Sequence, residues 1–239
     1  MITHTSTIRS LLALVALTGG LLMSCKTQQK SSAAAGGAWQ KIFNGKDLSG
    51  WHTFQKQQVD PRWYVEKGGI LTLDPAKNGG GDLVSDATFT NFVLELEWKI
   101  SKAGNSGILF NVQETPAYKK TYFSGPEMQV LDNKEASDNK KDNHLAGSLY
   151  DLVACNPDYA KPVGDWNKVK IQQVDGKFTF WFNGHQVVEA QIGSTKWKNM
   201  VAGSKFSHYP SFGLATSGHI ALQDHGHRVW YRNIRIKTL

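Results

Sequence analysis

The chain reads as an all-β protein built from two packed antiparallel sheets. Two observations predict this. Beyond the N-terminal segment, no stretch carries a sustained helical period with caps, and short runs rich in β-branched and aromatic residues recur with turn residues between them. There are roughly a dozen such runs and no repeat of blade length, which favours a jelly-roll sandwich over an up-and-down barrel or a propeller.

In chain order, the first residues stand apart from the fold. Arg9 precedes an apolar run over residues 11–22 that is too short to span a bilayer comfortably. The run ends in Leu22-Met23-Ser24-Cys25, which resembles a bacterial lipobox with cleavage before Cys25 and lipid on its sulfur. Residues 25–38 are rich in Ser, Ala, Gly and Gln and read as a flexible tether. The expected organisation is a signal peptide over 1–24, a tether over 25–38 and one domain over 39–239. Such a chain is exported and held to the cell-envelope membrane by its lipid.

Residues 39–43 make a first strand, turned by Asn44-Gly45-Lys46-Asp47. Residues 62–66 and 70–73 form a hairpin across Lys67-Gly68-Gly69. A Gly-rich loop over 78–81 leads into a strand at 82–85. Residues 91–100 alternate most cleanly: Leu94, Leu96, Trp98 and Ile100 share one face, and Val93, Glu95, Glu97 and Lys99 the other. The turn Ala103-Gly104-Asn105-Ser106-Gly107 is expected to fold the chain back into residues 108–110 as a second hairpin, with Asn105 and Ser106 on its rim.

An aromatic loop over 115–124 precedes Gly125-Pro126-Glu127-Met128-Gln129-Val130-Leu131-Asp132. Pro126 suits a strand entry, and from there Met128 and Val130 should point into a core while Glu127 and Gln129 point away from it. A carboxylate and an amide side by side make a floor for a polar cleft. Residues 133–143 are polar and charged without an apolar period, hence a solvated excursion. A short strand should close residues 144–151. Residues 166–174 and 177–182 pair across Asp175-Gly176, with Phe178, Phe180 and Phe182 on one face and Trp181 on the other; Asn183-Gly184 then turns into residues 185–191. A short helix fits only at 196–208. Strands at 211–215, 219–223 and 228–236 finish the chain, and the polar turn Gln223-Asp224-His225-Gly226-His227 separates the last two.

Composition narrows the function. With Cys25 lipidated, the other of the two cysteines, Cys155, has no partner, so stability must come from a core for which eight Trp and eleven Phe are available. Cys155 lies in a loop-like stretch, a poor setting for a nucleophile. The net charge of +7 is scattered rather than clustered, which argues against nucleic acid as a partner.

Several stretches together resemble one family. They are Ile42-Phe43-Asn44-Gly45-Lys46-Asp47-Leu48-Ser49-Gly50-Trp51, Leu94-Glu95-Leu96-Glu97-Trp98, Gly104-Asn105-Ser106-Gly107-Ile108, Glu127-Met128-Gln129-Val130-Leu131-Asp132 and residues 144–151, followed by Gly164-Asp165-Trp166-Asn167, Trp181-Phe182-Asn183-Gly184, Ile220-Ala221-Leu222-Gln223-Asp224-His225-Gly226 and Arg232-Asn233-Ile234-Arg235-Ile236-Lys237. The set is similar to the 3-keto-disaccharide hydrolase domain, common in exported lipoproteins. The resemblance implies a concanavalin A-like lectin/glucanase sandwich. It also implies action on an oxidised (3-keto) oligosaccharide or glycoside, by hydrolysis or by 1,2-elimination and hydration. A ketone at C3 acidifies the hydrogen on C2, so such a site needs a base near C2, an acid near the glycosidic oxygen and a donor or cation at the C3 oxygen.

Glu127 is the first candidate for acid or base, Glu97 the second carboxylate, and His225 a third titratable group. Gln129, Asn105, His144, Asp151 and Trp181 are candidate sugar contacts, Trp181 by stacking. No cofactor is expected, and the acidic spacing around Asp132 and Asp138 matches no recognised calcium loop. Two other readings remain open. A lichenase-type glucanase carries Glu-x-Asp-x-(x)-Glu on one strand, whereas this chain has Glu127, Gln129 and Asp132, which puts a double displacement in doubt. A non-catalytic lectin module needs aromatic platforms and amides but no convergence of Glu97, Glu127 and His225.

Overall fold

The computed structural model describes residues 37–239, together with Met1. The expected signal peptide, most of the tether and Cys25 lie outside the described residues. The strands in order are β1 (Gln40–Lys41), β2 (Trp51–Thr53), β3 (Trp63–Glu66), β4 (Ile70–Leu73), β5 (Leu83–Phe89), β6 (Phe92–Ile100), β7 (Asn105–Val112), β8 (Glu127–Leu131), β9 (Asn167–Val174), β10 (Lys177–Phe182), β11 (His185–Gln191), β12 (Gly218–Leu222) and β13 (Val229–Thr238). A single α-helix, α1 (Thr195–Ala202), is capped by Ser194, whose side chain accepts from the Trp197 N–H. A 3-10 turn, Lys205–His208, follows it.

Two antiparallel sheets result. One runs β11-β10-β9-β6-β13-β4-β3 with β1 added on β13, and the other runs β2-β5-β12-β7-β8. The core lies between them. Leu94, Leu96, Trp98 and Ile100 of β6, with Phe178, Phe180 and Phe182 of β10, meet Ile108, Phe110, Met128, Val130, Ile220 and Leu222 of the second sheet. Full burial of each such side chain stabilises by roughly 1.5–3 kcal/mol, so this layer carries the stability of a fold with no disulfide among its described residues. Period-two alternation produced the faces as expected.

Three expectations need correction. The turn after β6 does not close a hairpin: β6 pairs with β9 and β13, whereas β7 pairs with β8 and β12. The chain changes sheets there. Ala103 takes φ +55 and a Cβ on Gly104 would lie 2.4 Å from the Ile100 side chain, so a very tight turn swings the chain across the sandwich. Residues 211–215 form no strand. Residues 144–151 contribute only isolated bridges, Leu149 with Met128 and Leu149 with Val153.

Candidate active site

Register decides which side chains share the outer face of the five-stranded sheet. Gly107 lies opposite Gln129 and Leu109 opposite Glu127, while Ala221 lies opposite both Leu109 and Val84. Directly opposed residues project from the same face. Val84, Ala221, Leu109 and Glu127 therefore form one row across four strands. Val84, Leu109, Ala221 and Val112 pack there with Phe54 and Tyr122 into a small apolar floor of their own. One row along, the Gln223 N–H donates to the Gly107 carbonyl at 2.9 Å.

Glu127 sits at the end of that apolar floor and is only 4 % exposed. Its carboxyl lies across Gly107, where a Cβ would come within 2.0 Å of Oε1. No hydrogen bond from the described residues compensates its burial. Desolvation accordingly raises its pKa from 4.5 to about 8, opposed by the Lys205 charge and reinforced by Asp82 and Asp138. Around it, three buried amide atoms have no partner: Gln129 Nε2, Asn105 Oδ1 and Gln223 Oε1. Each such orphan costs on the order of 1–3 kcal/mol, and three beside one unpaired carboxyl are the signature of a surface that a polar ligand completes.

A second layer rises over β8. The Gln129 N–H donates to the Ser148 carbonyl, Gly147 N–H donates to the Gln129 carbonyl, and Tyr150 N–H donates to the Glu127 carbonyl. The segment from Gly147 to Tyr150 thus lies along the edge of β8 and brings Tyr150 beside Glu127. Tyr150 donates its hydroxyl to Asp138 at 2.8 Å and stacks on His144 at 4.4 Å. The two His144 nitrogens face Asp138 at 2.7 Å and Asp151 at 3.0 Å. Asp151, at φ +57, uses its second oxygen to accept from the Lys205 N–H at 2.9 Å. The Lys205 ammonium lies 4.0 Å from the centre of the Tyr150 ring, 5.2 Å from Phe206 and 5.6 Å from Tyr122. Burial draws the Lys205 pKa down, against the pull of Glu127, Asp151 and Asp138.

The opposite wall sets two carboxylates among basic side chains. Asp82 accepts from the Thr121 hydroxyl and from the Asp224 N–H, and desolvation pushes its pKa up. Asp224 in turn accepts from the Gly81 N–H at 3.0 Å and from Arg62 at 3.3 Å. A depression of about 350 Å³ lined by Phe54, Lys119, Lys120, Asp82 and Asp224 opens on this side.

The structure therefore gathers Glu127, Gln129 and Asn105 on one face, with His144 and Asp151 as the frame behind them. It does not bring Glu97 or Trp181 to that site. Both strands belong to the other sheet, and their polar positions point away from the core on the far side of the sandwich. Glu97 is paired there with Arg232 at 2.6 Å, and Trp181 carries the Lys170 ammonium over its ring at 3.6 Å. His225 is exposed on the turn two residues beyond Gln223, at the rim of the site's sheet, stacked on His227. Asp132 is also removed from the chemistry: its oxygens accept from the N–H groups of Ala103 and Lys134, so the glucanase pairing on β8 is not built. The Cys155 thiol is buried and pushed up to about 11.

Lys205, Tyr150, Asp82 and Gln223 were not singled out from the sequence. Gln223 opens the polar turn in which only His225 stood out, and Asp82 directly follows three glycines. Tyr150 lies inside the stretch 144–151 that shares in the family resemblance, whereas Lys205 carries no local signal, because folding alone brings it to β8. Among the described residues no group of three or more His, Cys, Asp or Glu side chains is arranged to hold a metal ion.

The chain is similar to several known proteins. A curated 3-keto-disaccharide hydrolase from Bacteroides thetaiotaomicron is 39% identical over 224 residues, covering 83% of this chain and 77% of its own. A crystal structure from Parabacteroides distasonis, described as a candidate glycosyl hydrolase, superposes with a TM-score of 0.78 at 33% identity, covering 84% of this chain and 94% of that one. A Bacillus subtilis protein with a galectin-like fold shares the fold alone, at 13% identity and a TM-score of 0.50, over 85% of this chain and 96% of its own. Residues 38–237 match the model of the 3-keto-alpha-glucoside-1,2-lyase-like domain. The chain belongs to the 3-keto-alpha-glucoside-1,2-lyase-like domain family.

Proposed function

We propose that the protein cleaves the glycosidic bond of 3-keto-glucosides or 3-keto-disaccharides, and that Glu127 moves the proton. The carrying observation is a carboxyl without a hydrogen-bond partner, held near pKa 8 by burial and bordered by three orphaned amides. The family and its hydrolase relatives support a carbohydrate-active hydrolase; the keto substrate and the elimination route go one step further.

In the proposed sequence the Glu127 carboxylate takes the proton from C2. The C–H pair forms the C2–C3 double bond and the carbonyl pair moves onto the C3 oxygen. The enolate then collapses, a C1–C2 double bond forms, and the leaving oxygen departs from C1 with the proton now on Glu127. Water adds at C1 and a proton returns to C2, giving net hydrolysis. A group whose pKa lies near the working pH serves both as base and as acid, which suits Glu127 to both transfers. Gln129, Asn105 and Gln223 would hold sugar hydroxyls with their free amide atoms.

The decisive experiment pairs unoxidised glucosides with their 3-keto counterparts in deuterated water. The keto compounds alone should be cleaved, and the free sugar should carry deuterium at C2. Cleavage of unoxidised glucosides at a comparable rate, or cleavage without deuterium, would return the site to direct displacement. We further propose that Cys25 carries a lipid anchor, from its lipobox. Replacing Cys25 with Ala should then move the protein from the membrane fraction to the soluble one, and an unchanged distribution would remove the anchor.

A further inference from the structure

We infer that the Lys205 ammonium is the electrophile that binds the C3 oxygen and carries its charge in the enolate, a role that rests on the reaction proposed for Glu127. Three features of the molecule point to it.

The first is availability. Lys56, Lys102, Lys141 and Lys177 each sit within 3.3 Å of a carboxylate, whereas no described acceptor lies within hydrogen-bond distance of Lys205 Nζ. An ammonium has three donors and no acceptor, so all three remain free for a ligand. Of the other cations near the site, Arg62 is bound to Asp224 and Lys141 to Asp151, while Lys119 and Lys120 lie on the Asp82 side.

The second is placement. The ammonium is set over Tyr150 and flanked by Tyr122 and Phe206, an arrangement that holds a cation by ring faces rather than by an anion. Carboxylates at Glu127, Asp151 and Asp138 act on it through space, yet none reaches salt-bridge distance. A cation held in place by ring faces and left unpaired is pre-organised for an oxygen that gains charge only during the reaction. The neighbour across from it is Glu127, the group proposed to remove the proton. Base and electrophile thus approach a ketone and its α-carbon from adjoining positions.

The third is rigidity. The Lys205 N–H is fixed to Asp151, the next N–H is capped by the Ser204 hydroxyl at 3.1 Å, and Phe206 is buried and stacked on Phe212 at 3.7 Å. The stem of Lys205 is therefore anchored at its root. The His144, Asp138 and Asp151 network acquires a purpose in the same stroke, since it positions both Tyr150 and Lys205.

No bond forms to nitrogen in this role: the C2 proton goes to Glu127, the carbonyl pair goes to oxygen, and the ammonium keeps its protons. The test uses 3-keto-1,5-anhydroglucitol, which enolises but has no glycosidic leaving group at C1, and follows exchange of its C2 hydrogen in deuterated water by NMR. Wild type should exchange it, and Lys205→Met should lose about 10²–10³-fold in exchange while its thermal unfolding stays near that of wild type. Lys205→Cys alkylated with 2-bromoethylamine places an ammonium at nearly the same point and should recover most of the rate, with alkylated wild type as control. Full exchange by Lys205→Met, or no recovery on alkylation of a folded Lys205→Cys, would overturn the assignment. A borohydride-trapped sugar on Lys205 would overturn it in favour of an imine. Failure of the wild-type protein to act on any 3-keto-glucoside would instead sink the Glu127 reaction, and this role with it.

Discussion

The two sheets of this sandwich both carry charge on their outer faces, but they use it in opposite ways. On the eight-stranded sheet the charges complete one another. Trp181, Lys170, Glu95 and Arg235 lie side by side across four strands, and Lys168, Glu97 and Arg232 form a parallel row. Arg235 meets Glu95 at 2.6 Å, Arg232 meets Glu97 at 2.6 Å, and both arginines also cover tryptophan rings. At the Glu127 end of the five-stranded sheet polar groups are left open: Glu127 has no donor, the neighbouring Lys205 ammonium no acceptor, and three amides each keep one unpartnered atom. A groove of about 790 Å³ lies over the paired face. Room alone does not mark a reactive surface; unmet valence does.

That contrast can be broken by substitution. The largest effect is expected from Glu127→Gln, which keeps the shape and removes the proposed proton carrier. Turnover of a 3-keto-glucoside should fall about 10³-fold, and the wild-type kcat/KM should rise with pH through about 8 as the carboxylate forms. A Gln variant within tenfold of wild type would remove Glu127 from the reaction. Next comes Gly107→Ala, whose methyl would land 2.0 Å from Glu127 Oε1. Displacing that carboxyl should cost roughly 10²-fold in kcat with little change in fold, measured by steady-state kinetics beside circular dichroism.

Stability should move the other way. The folded-state pKa of Glu127 lies above the unperturbed 4.5, so the protonated form is the one that the fold prefers. Its contribution is complete below about pH 4.5 and is lost as pH rises through 8. Glu127→Gln should therefore melt higher than wild type at pH 9, by on the order of 2 kcal/mol or about 4–8 °C, and the gap should close near pH 5. The carboxyl proposed to react is held at a cost to the fold. The smallest effect belongs to the paired face. Glu97→Gln should leave kcat/KM within about twofold and stability within about 1 kcal/mol, because a partly exposed ion pair contributes little. A large loss of activity there would show that the comparison has the two faces reversed.

The sequence made the faces legible but not the sheets. Alternation in β6 correctly separated Leu94, Leu96, Trp98 and Ile100 from Glu95 and Glu97, and in β8 it correctly set Glu127 beside Gln129. Alternation says nothing about which sheet a strand joins. A tight turn after Ile100 reads the same whether the chain folds back or crosses over, and so Glu97 was expected beside Glu127 and lies behind it. Trp181 misled for the same reason. The polar stretch 133–143 looked purely solvated, yet its Asp138 binds His144 and Tyr150, since a single side chain can turn inward from a polar loop. Lys205 had no pattern to betray it, because its meaning lies wholly in what surrounds it after folding.

The Gly147 to Tyr150 segment has a second consequence. β8 is the last strand of its sheet, and the free side of such a strand is a template on which another copy of the chain can add. That segment already occupies the Gln129 N–H and the carbonyls of Gln129 and Glu127. The same few residues that deliver Tyr150 to the carboxyl also stop the sheet from growing. Lesions that loosen them should appear as aggregates before they appear as slow enzymes, so that solubility reports on the integrity of the edge that carries Glu127.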